Sequence, residues 1–124
     1  MARILVLDDV AEAVTAITKI LEKQGHQVVG FTDEDAAVDY LTQNPIDLAV
    51  LDIKLKKRDG VSVLAEIKQV RPETKAIMLT GYPTHETASE STRLGADAYC
   101  IKPIDRRDLE AKVTEVLEGG RSGD

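Results

Sequence analysis

The chain contains a single cysteine, Cys100. An internal disulfide is therefore excluded, and so are zinc sites built from several cysteines. Cys100 lies inside an apolar run, where a lone cysteine serves as a small core residue. The two histidines, His26 and His85, cluster neither with it nor with each other. Both read as surface residues. No apolar run approaches the 18 or so residues that a membrane-spanning helix needs. Positive charge is also in short supply. Sixteen Lys and Arg against 22 Asp and Glu give a net charge of −6, and a nucleic-acid surface would be basic. Before the first acidic pair the N-terminus has one arginine and a few apolar residues, too little for a signal peptide. A cytoplasmic protein with no membrane contact and no direct nucleic-acid contact is the expectation. Internal repeats are absent. At 124 residues the chain can bury one real core. We expect one domain over 1–118 and a flexible glycine-rich tail over 119–124.

What the chain does have is four short apolar runs, each followed by a polar residue. Ile4–Leu7 leads to Asp8-Asp9, Leu48–Leu51 to Asp52, Ala76–Leu79 to Thr80, and Ala98–Ile101 to Lys102. Runs of this length, separated by helical patterns, read as buried parallel strands. Expected strands are Arg3–Leu7, Gln27–Phe31, a third ending at Asp52, a fourth ending at Thr80 and a fifth leading to Lys102. Expected helices are about Val10–Gln24, Glu34–Gln43, Val61–Val70, His85–Leu94 and Arg106–Leu117. Gly25 ends the first helix and Asn44-Pro45 stops the second. The fourth helix is the most polar, with Ser89 to Arg93 interrupting its stripe. Alternating strands and helices predict an α/β three-layer sandwich. Sequence alone does not set the strand order; the order 2-1-3-4-5 of flavodoxin-like folds would place strands 1 and 3 together at the switch point. Asp9 and Asp52 are then neighbours.

The carboxyl edge of such a sheet gathers three carboxylates, a hydroxyl and an ammonium. Each has an ordinary reading of its own. Asp9-Val10-Ala11-Glu12 fits a capping box, with Asp9 as the cap. Asp52 fits a turn, Thr80 a strand end, and Lys102 a solvated surface. Together they fit a cation and a phosphoryl group. Oxygen-only ligands favour Mg²⁺ or Mn²⁺ over zinc. Adjacent aspartates repel, and a cation relieves that repulsion. The Thr80 hydroxyl can donate to a phosphoryl oxygen, with Gly81 leaving room for its approach. Lys102 can bind phosphate as a point charge. Pro103 permits a cis peptide that would aim the lysine inward. The chain lacks a Ser-His pair and a GxxxxGK[ST] loop. A carboxylate can itself be the nucleophile and form an acyl phosphate, and Asp52 is the candidate.

With these pieces the chain resembles the receiver domains of two-component response regulators, from about Ala2 to Leu117. The motifs in order are Ile4–Leu7 with Asp8-Asp9, Asp47–Ile53 around Asp52, and Asp59-Gly60. Then come Met78–Tyr82 around Thr80, Leu94–Tyr99, and Ile101-Lys102-Pro103. The resemblance implies Asp52 as phosphoacceptor, with Asp8 and Asp9 at the metal site. The backbone carbonyl of Lys54 is implied as a further metal ligand. Thr80 and Lys102 become the switch hydroxyl and the phosphate-binding lysine. Tyr99 matches the aromatic that changes rotamer on activation, its ordinary reading being a half-buried tyrosine with a solvated hydroxyl. Lys54 and Tyr82 hold the two positions that tune phosphoryl lifetime. The implied partners are a sensor histidine kinase or phosphotransfer protein, and a downstream protein or linked output domain. The implied output surface is the fourth helix, fifth strand and fifth helix. Two departures stand out. Lys56 replaces a common proline, and Val10 follows the acid pair where a third acid is frequent.

Three other functions compete. A flavodoxin-like cofactor protein needs a phosphate-cradling loop after the first strand, where Asp8-Asp9 instead repels phosphate. An aspartate-nucleophile phosphatase needs a second aspartate two residues after the first, where Lys54 stands. A pseudo-receiver, an unphosphorylated docking module, usually lacks a key residue, and here all are present. The expected role is a phospho-switch rather than a classical enzyme.

Overall fold

The computed structural model describes residues 1–119, so the expected tail beyond Gly119 lies outside the described residues. The elements in order are β1 Arg3–Leu7, α1 Ala11–Lys23, β2 Gln27–Phe31, α2 Glu34–Gln43 and β3 Leu48–Leu51. They continue as α3 Gly60–Val70, β4 Lys75–Thr80, α4 His85–Arg93, β5 Ala98–Ile101 and α5 Arg106–Leu117. The strands form one parallel sheet in the order β2-β1-β3-β4-β5, the order expected of the flavodoxin-like receiver fold that the chain resembles.

Both faces of the sheet are covered, which is why its strands read as continuous apolar runs. Along β1, Leu5 and Leu7 point to one layer, with Val38, Leu41, Val63, Leu64 and Ile67 from α2 and α3. Ile4 and Val6 point to the other, with Ile17 and Leu21 from α1 and Leu109, Val113 and Val116 from α5. This period-2 alternation is the pleat at work.

Local chemistry sets the ends. Gly25 follows α1 at φ +105°, a conformation that costs a residue with Cβ and not glycine. Asp33, Asp59 and Asp105 cap α2, α3 and α5 through their side chains. The capping box expected at Asp9 is not there. Val10 takes the cap position of α1 with no side-chain bond. The Val10 N–H instead donates to Asp8 Oδ1 at 2.9 Å, and Asp9 stands near Asp8 and Asp52. β3 ends at Leu51, one residue before Asp52, although the Asp52 N–H still bonds Leu7 O at 3.0 Å. The three remaining boundary shifts, at the end of α1, the start of α3 and the end of α4, are of one residue each, within ordinary fraying.

Candidate functional site

The β1–β3 register pairs Leu7 with Leu51. Asp8 and Asp52 therefore leave the sheet side by side at its carboxyl edge. The β4–β5 register pairs Thr80 with Ile101, and the Lys102 N–H to Thr80 O bond of 2.7 Å extends it. Lys102 thus reaches the same edge from two strands away. The Lys102–Pro103 peptide is cis.

The acidic groups converge. Asp8, Asp9 and Asp52 each bring a carboxylate oxygen within 4.8 Å of the others. Asp8 and Asp52 are 2% and 6% exposed; Asp9 is half-buried. Lys102 Nζ bridges the buried pair, 2.5 Å from Asp8 Oδ2 and 3.2 Å from Asp52 Oδ2. The other oxygens take backbone N–H groups, Asp8 Oδ1 from Val10 and Asp52 Oδ1 from Ile53 at 2.7 Å.

Charge does not balance here. Three carboxylates face one ammonium. At separations up to 4.8 Å and an effective dielectric of about 20, each like-charged pair costs roughly 3.5 kcal/mol or more. Lys102, close to two of the three carboxylates, opposes this repulsion but leaves the cluster at a formal charge of −2. Burial, helped by the Asp8 charge, holds Asp52 above the usual carboxylate range, with Lys102 opposing. Burial alone would lower Lys102, but its bonds to Asp8 and Asp52 win and raise it. Clustered carboxylate oxygens, one of them half-exposed so that waters can complete a shell, fit a hard divalent cation such as Mg²⁺.

Thr80 is fully buried, and its hydroxyl accepts the Tyr82 N–H at 3.0 Å. It is engaged with its own turn and still has a proton to donate. Lys54 and Tyr82 are exposed and meet each other, with Lys54 Nζ 4.3 Å from the Tyr82 ring centroid. Tyr99 is half-buried on β5. Where the ordinary reading left its hydroxyl to solvent, the hydroxyl bonds Thr87 Oγ1 at 2.9 Å.

Two participants were not foreseen. Thr87, inside the polar α4, completes a reciprocal capping box with Thr84 as well as meeting Tyr99. Glu34, 1% exposed, accepts the N–H groups of Lys57 and Arg58 in the loop after Asp52. In the sequence Glu34 reads as an ordinary first-turn acid, favourable to the helix dipole, and nothing local marks it as buried. Gly60 closes the same loop. Its N–H bonds Ile53 O at 2.6 Å, and a Cβ there would lie 1.9 Å from the Asp52 carbonyl oxygen. Only glycine lets α3 start so close to the site.

The family model for the response regulator receiver domain matches residues 4–114. The transcriptional regulatory protein CpxR of Escherichia coli strain K12 is 33% identical over 117 residues, covering 94% of this chain and 50% of CpxR. ZraR, a transcriptional regulatory protein of the same strain, is 32% identical over 114 residues, covering 92% of this chain and 26% of ZraR. The chain thus spans half or less of the length of these curated relatives. A CheY-like response regulator receiver domain protein from Methanospirillum hungatei JF-1 superposes with a TM-score of 0.94 at 33% identity, covering 100% of this chain and 99% of that one. A beryllofluoride-activated DrrB receiver domain gives a TM-score of 0.84 at 31% identity, covering 95% and 98%.

Proposed function

The chain belongs to the response regulator receiver domain family, a family of signalling domains, and on that premise we propose that it is a cation-dependent phosphoacceptor whose nucleophile is Asp52. The observation that carries this is the Asp8–Asp9–Asp52 cluster with Lys102 bridging its buried pair. Asp52 attacks the phosphorus of a phosphohistidine on a histidine kinase or phosphotransfer protein. An O–P bond forms at Asp52 and the N–P bond breaks. The departing imidazole nitrogen keeps the electron pair and takes up a proton. Lys102 lies within reach of Asp52 and neutralises charge on the transferred group. Asp8, Asp9, Asp52 and the Lys54 carbonyl would hold Mg²⁺ or Mn²⁺, which when bound stabilises phosphoryl charge.

Once Asp52 is phosphorylated, the Thr80 hydroxyl turns from its own loop to a phosphoryl oxygen. That vacates space for Tyr99, and the surface of α4, β5 and α5 changes. This surface would meet a downstream protein or a linked output domain. CpxR and ZraR, whose names call them transcriptional regulatory proteins, extend well beyond the matched segment, which is 50% and 26% of their lengths. No described helix is long and apolar enough to cross a membrane, and a cytoplasmic setting suits the expected kinase partner.

The test is intact-mass spectrometry after incubation with acetyl phosphate and Mg²⁺. One acid-labile phosphoryl group is expected on the wild type. None is expected after chelation or on Asp52→Asn. Unchanged labelling of Asp52→Asn would remove Asp52 from its role, and an unlabelled wild type would favour the pseudo-receiver docking module.

A further inference from the structure

Glu34 poses a problem of its own. It sits in the first turn of α2 and is almost wholly buried. A buried carboxylate is costly unless it is paired or well bonded. No side-chain cation pairs with Glu34 among the described ion pairs. The two nearest basic side chains in the loop go elsewhere, Lys57 to Asp33 and Asp35 and Arg58 to Glu66. What Glu34 meets is backbone. One oxygen, Oε2, accepts the N–H of Lys57 at 2.6 Å and of Arg58 at 2.9 Å.

A helix-dipole role does not require this arrangement. An acid serving the dipole can remain in solvent, as Asp35 does one residue on. Burial and two bonds to a segment more than 20 residues away point to the segment instead. That segment is the loop between β3 and α3, which begins with Asp52. It is fastened near Asp52 by the Gly60 N–H to Ile53 O bond. It is fastened at its far half by Glu34. Lys54, Leu55 and Lys56 lie between the two fasteners.

We propose that Glu34 is a positioning residue for the cation site: its buried carboxylate pins Lys57 and Arg58 so that the Lys54 carbonyl stands ready beside Asp52. The inference rests on the reading of Asp8, Asp9, Asp52 and the Lys54 carbonyl as the ligands. Partners one shell out from a metal fix its ligands, and removing them typically weakens metal binding about 10- to 100-fold. Here the pinned group is a backbone carbonyl, which has no rotamer of its own. Its direction is set wholly by the loop.

The test compares Glu34→Ala and Glu34→Gln with wild type. Glutamine keeps a carbonyl oxygen that can accept both N–H groups; alanine keeps none. Amide hydrogen exchange in metal-free protein should show Lys57 and Arg58 exchanging at least 10-fold faster in Glu34→Ala, with protection largely kept in Glu34→Gln. Mg²⁺ titration followed by amide NMR shifts should give a dissociation constant raised about 10-fold or more in Glu34→Ala, and within a few-fold of wild type in Glu34→Gln. Val113→Ala, in the core layer on the opposite face of the sheet, supplies a destabilised control whose Mg²⁺ affinity should not move. An unchanged Mg²⁺ constant in Glu34→Ala, or an equal loss in Val113→Ala, overturns the positioning role and leaves the cation site standing. A wild type that shows no Mg²⁺ response overturns the cation-site reading itself, and the positioning role with it.

Discussion

The Tyr99 hydroxyl and Thr87 Oγ1 lie 2.9 Å apart, tying β5 to the first turn of α4. Thr87 is already the reciprocal partner of the helix cap at Thr84. An inward turn of Tyr99 would break this tie and leave the cap to Thr84 and Thr87 alone. The switch would therefore be read at the start of α4.

Tyr99→Phe removes the tie without removing the ring. A partly exposed hydrogen bond is worth about 0.5–1.5 kcal/mol, so the melting temperature should drop by only a few degrees. The informative readout is NMR with beryllofluoride in place of the phosphoryl group. Wild type should show shifts through α4 and β5, and in Tyr99→Phe the shifts at Thr84 and Thr87 should shrink. Shifts confined to the immediate surroundings of Asp52 in the wild type would rule out this route.

Asp52 makes a prediction about pH and stability. Burial and the Asp8 charge raise its folded pKa. Folding thus binds its proton more tightly, and stability falls as pH rises from about 3.9, the unfolded value, through the folded one. At neutral pH the whole cost is present. Asp52→Asn should melt higher than wild type at pH 7 in metal-free buffer, with the gain vanishing below about pH 4. A lower melting temperature for Asp52→Asn at pH 7 would mean that its bonds to Lys102 and Ile53 outweigh burial and repulsion.

The same surplus of negative charge should make the fold respond to Mg²⁺. Saturating metal should stabilise the wild type by about 1–3 kcal/mol through mass action. Asp9→Ala removes the half-exposed carboxylate and should abolish most of that gain. A thermal melt of Asp9→Ala with an undiminished Mg²⁺ shift would exclude Asp9 as a ligand.

The architecture was legible because four of the five strands are short apolar runs that stop at a polar residue. That pattern also brought Asp8, Asp9, Asp52, Thr80 and Lys102 to one edge once strand order was set. Local rules misled at Asp9. A capping box needs only local spacing, but α1 starts one residue later than that spacing implies, with Val10 as its cap, and Asp9 stands with Asp8 and Asp52 in a cluster that forms only when β1 and β3 pair. Glu34 and Thr87 were missed for a related reason. Their partners, Lys57 with Arg58 and Tyr99, become neighbours only through tertiary packing. A first-turn glutamate and a threonine in a polar helix otherwise have ordinary local explanations.

Lys54 and Tyr82 bear on how long a phosphoryl group would last. Hydrolysis needs a water in line with the Asp52–phosphorus bond, opposite the leaving carboxylate. The resemblance places these two residues beside that approach, and in the structure they hold each other, the ammonium 4.3 Å from the ring centroid. Such a contact at an exposed site is worth about 0.5–1 kcal/mol, enough to bias the pair toward a joined state. Neither side chain offers an acid or amide to orient the water, as a glutamine does in GTPases. The Lys54 charge could assist hydrolysis by stabilising its transition state, but an ammonium held on the ring is drawn away from that task. Tyr82 is 63% exposed, so Tyr82→Ala should cost little stability while opening the approach. Both Tyr82→Ala and Lys54→Asn should release phosphate several-fold faster than wild type once the donor is removed, the first by losing the cover and the second by also gaining an amide. Release at the wild-type rate from both variants would show that the pair does not shield Asp52.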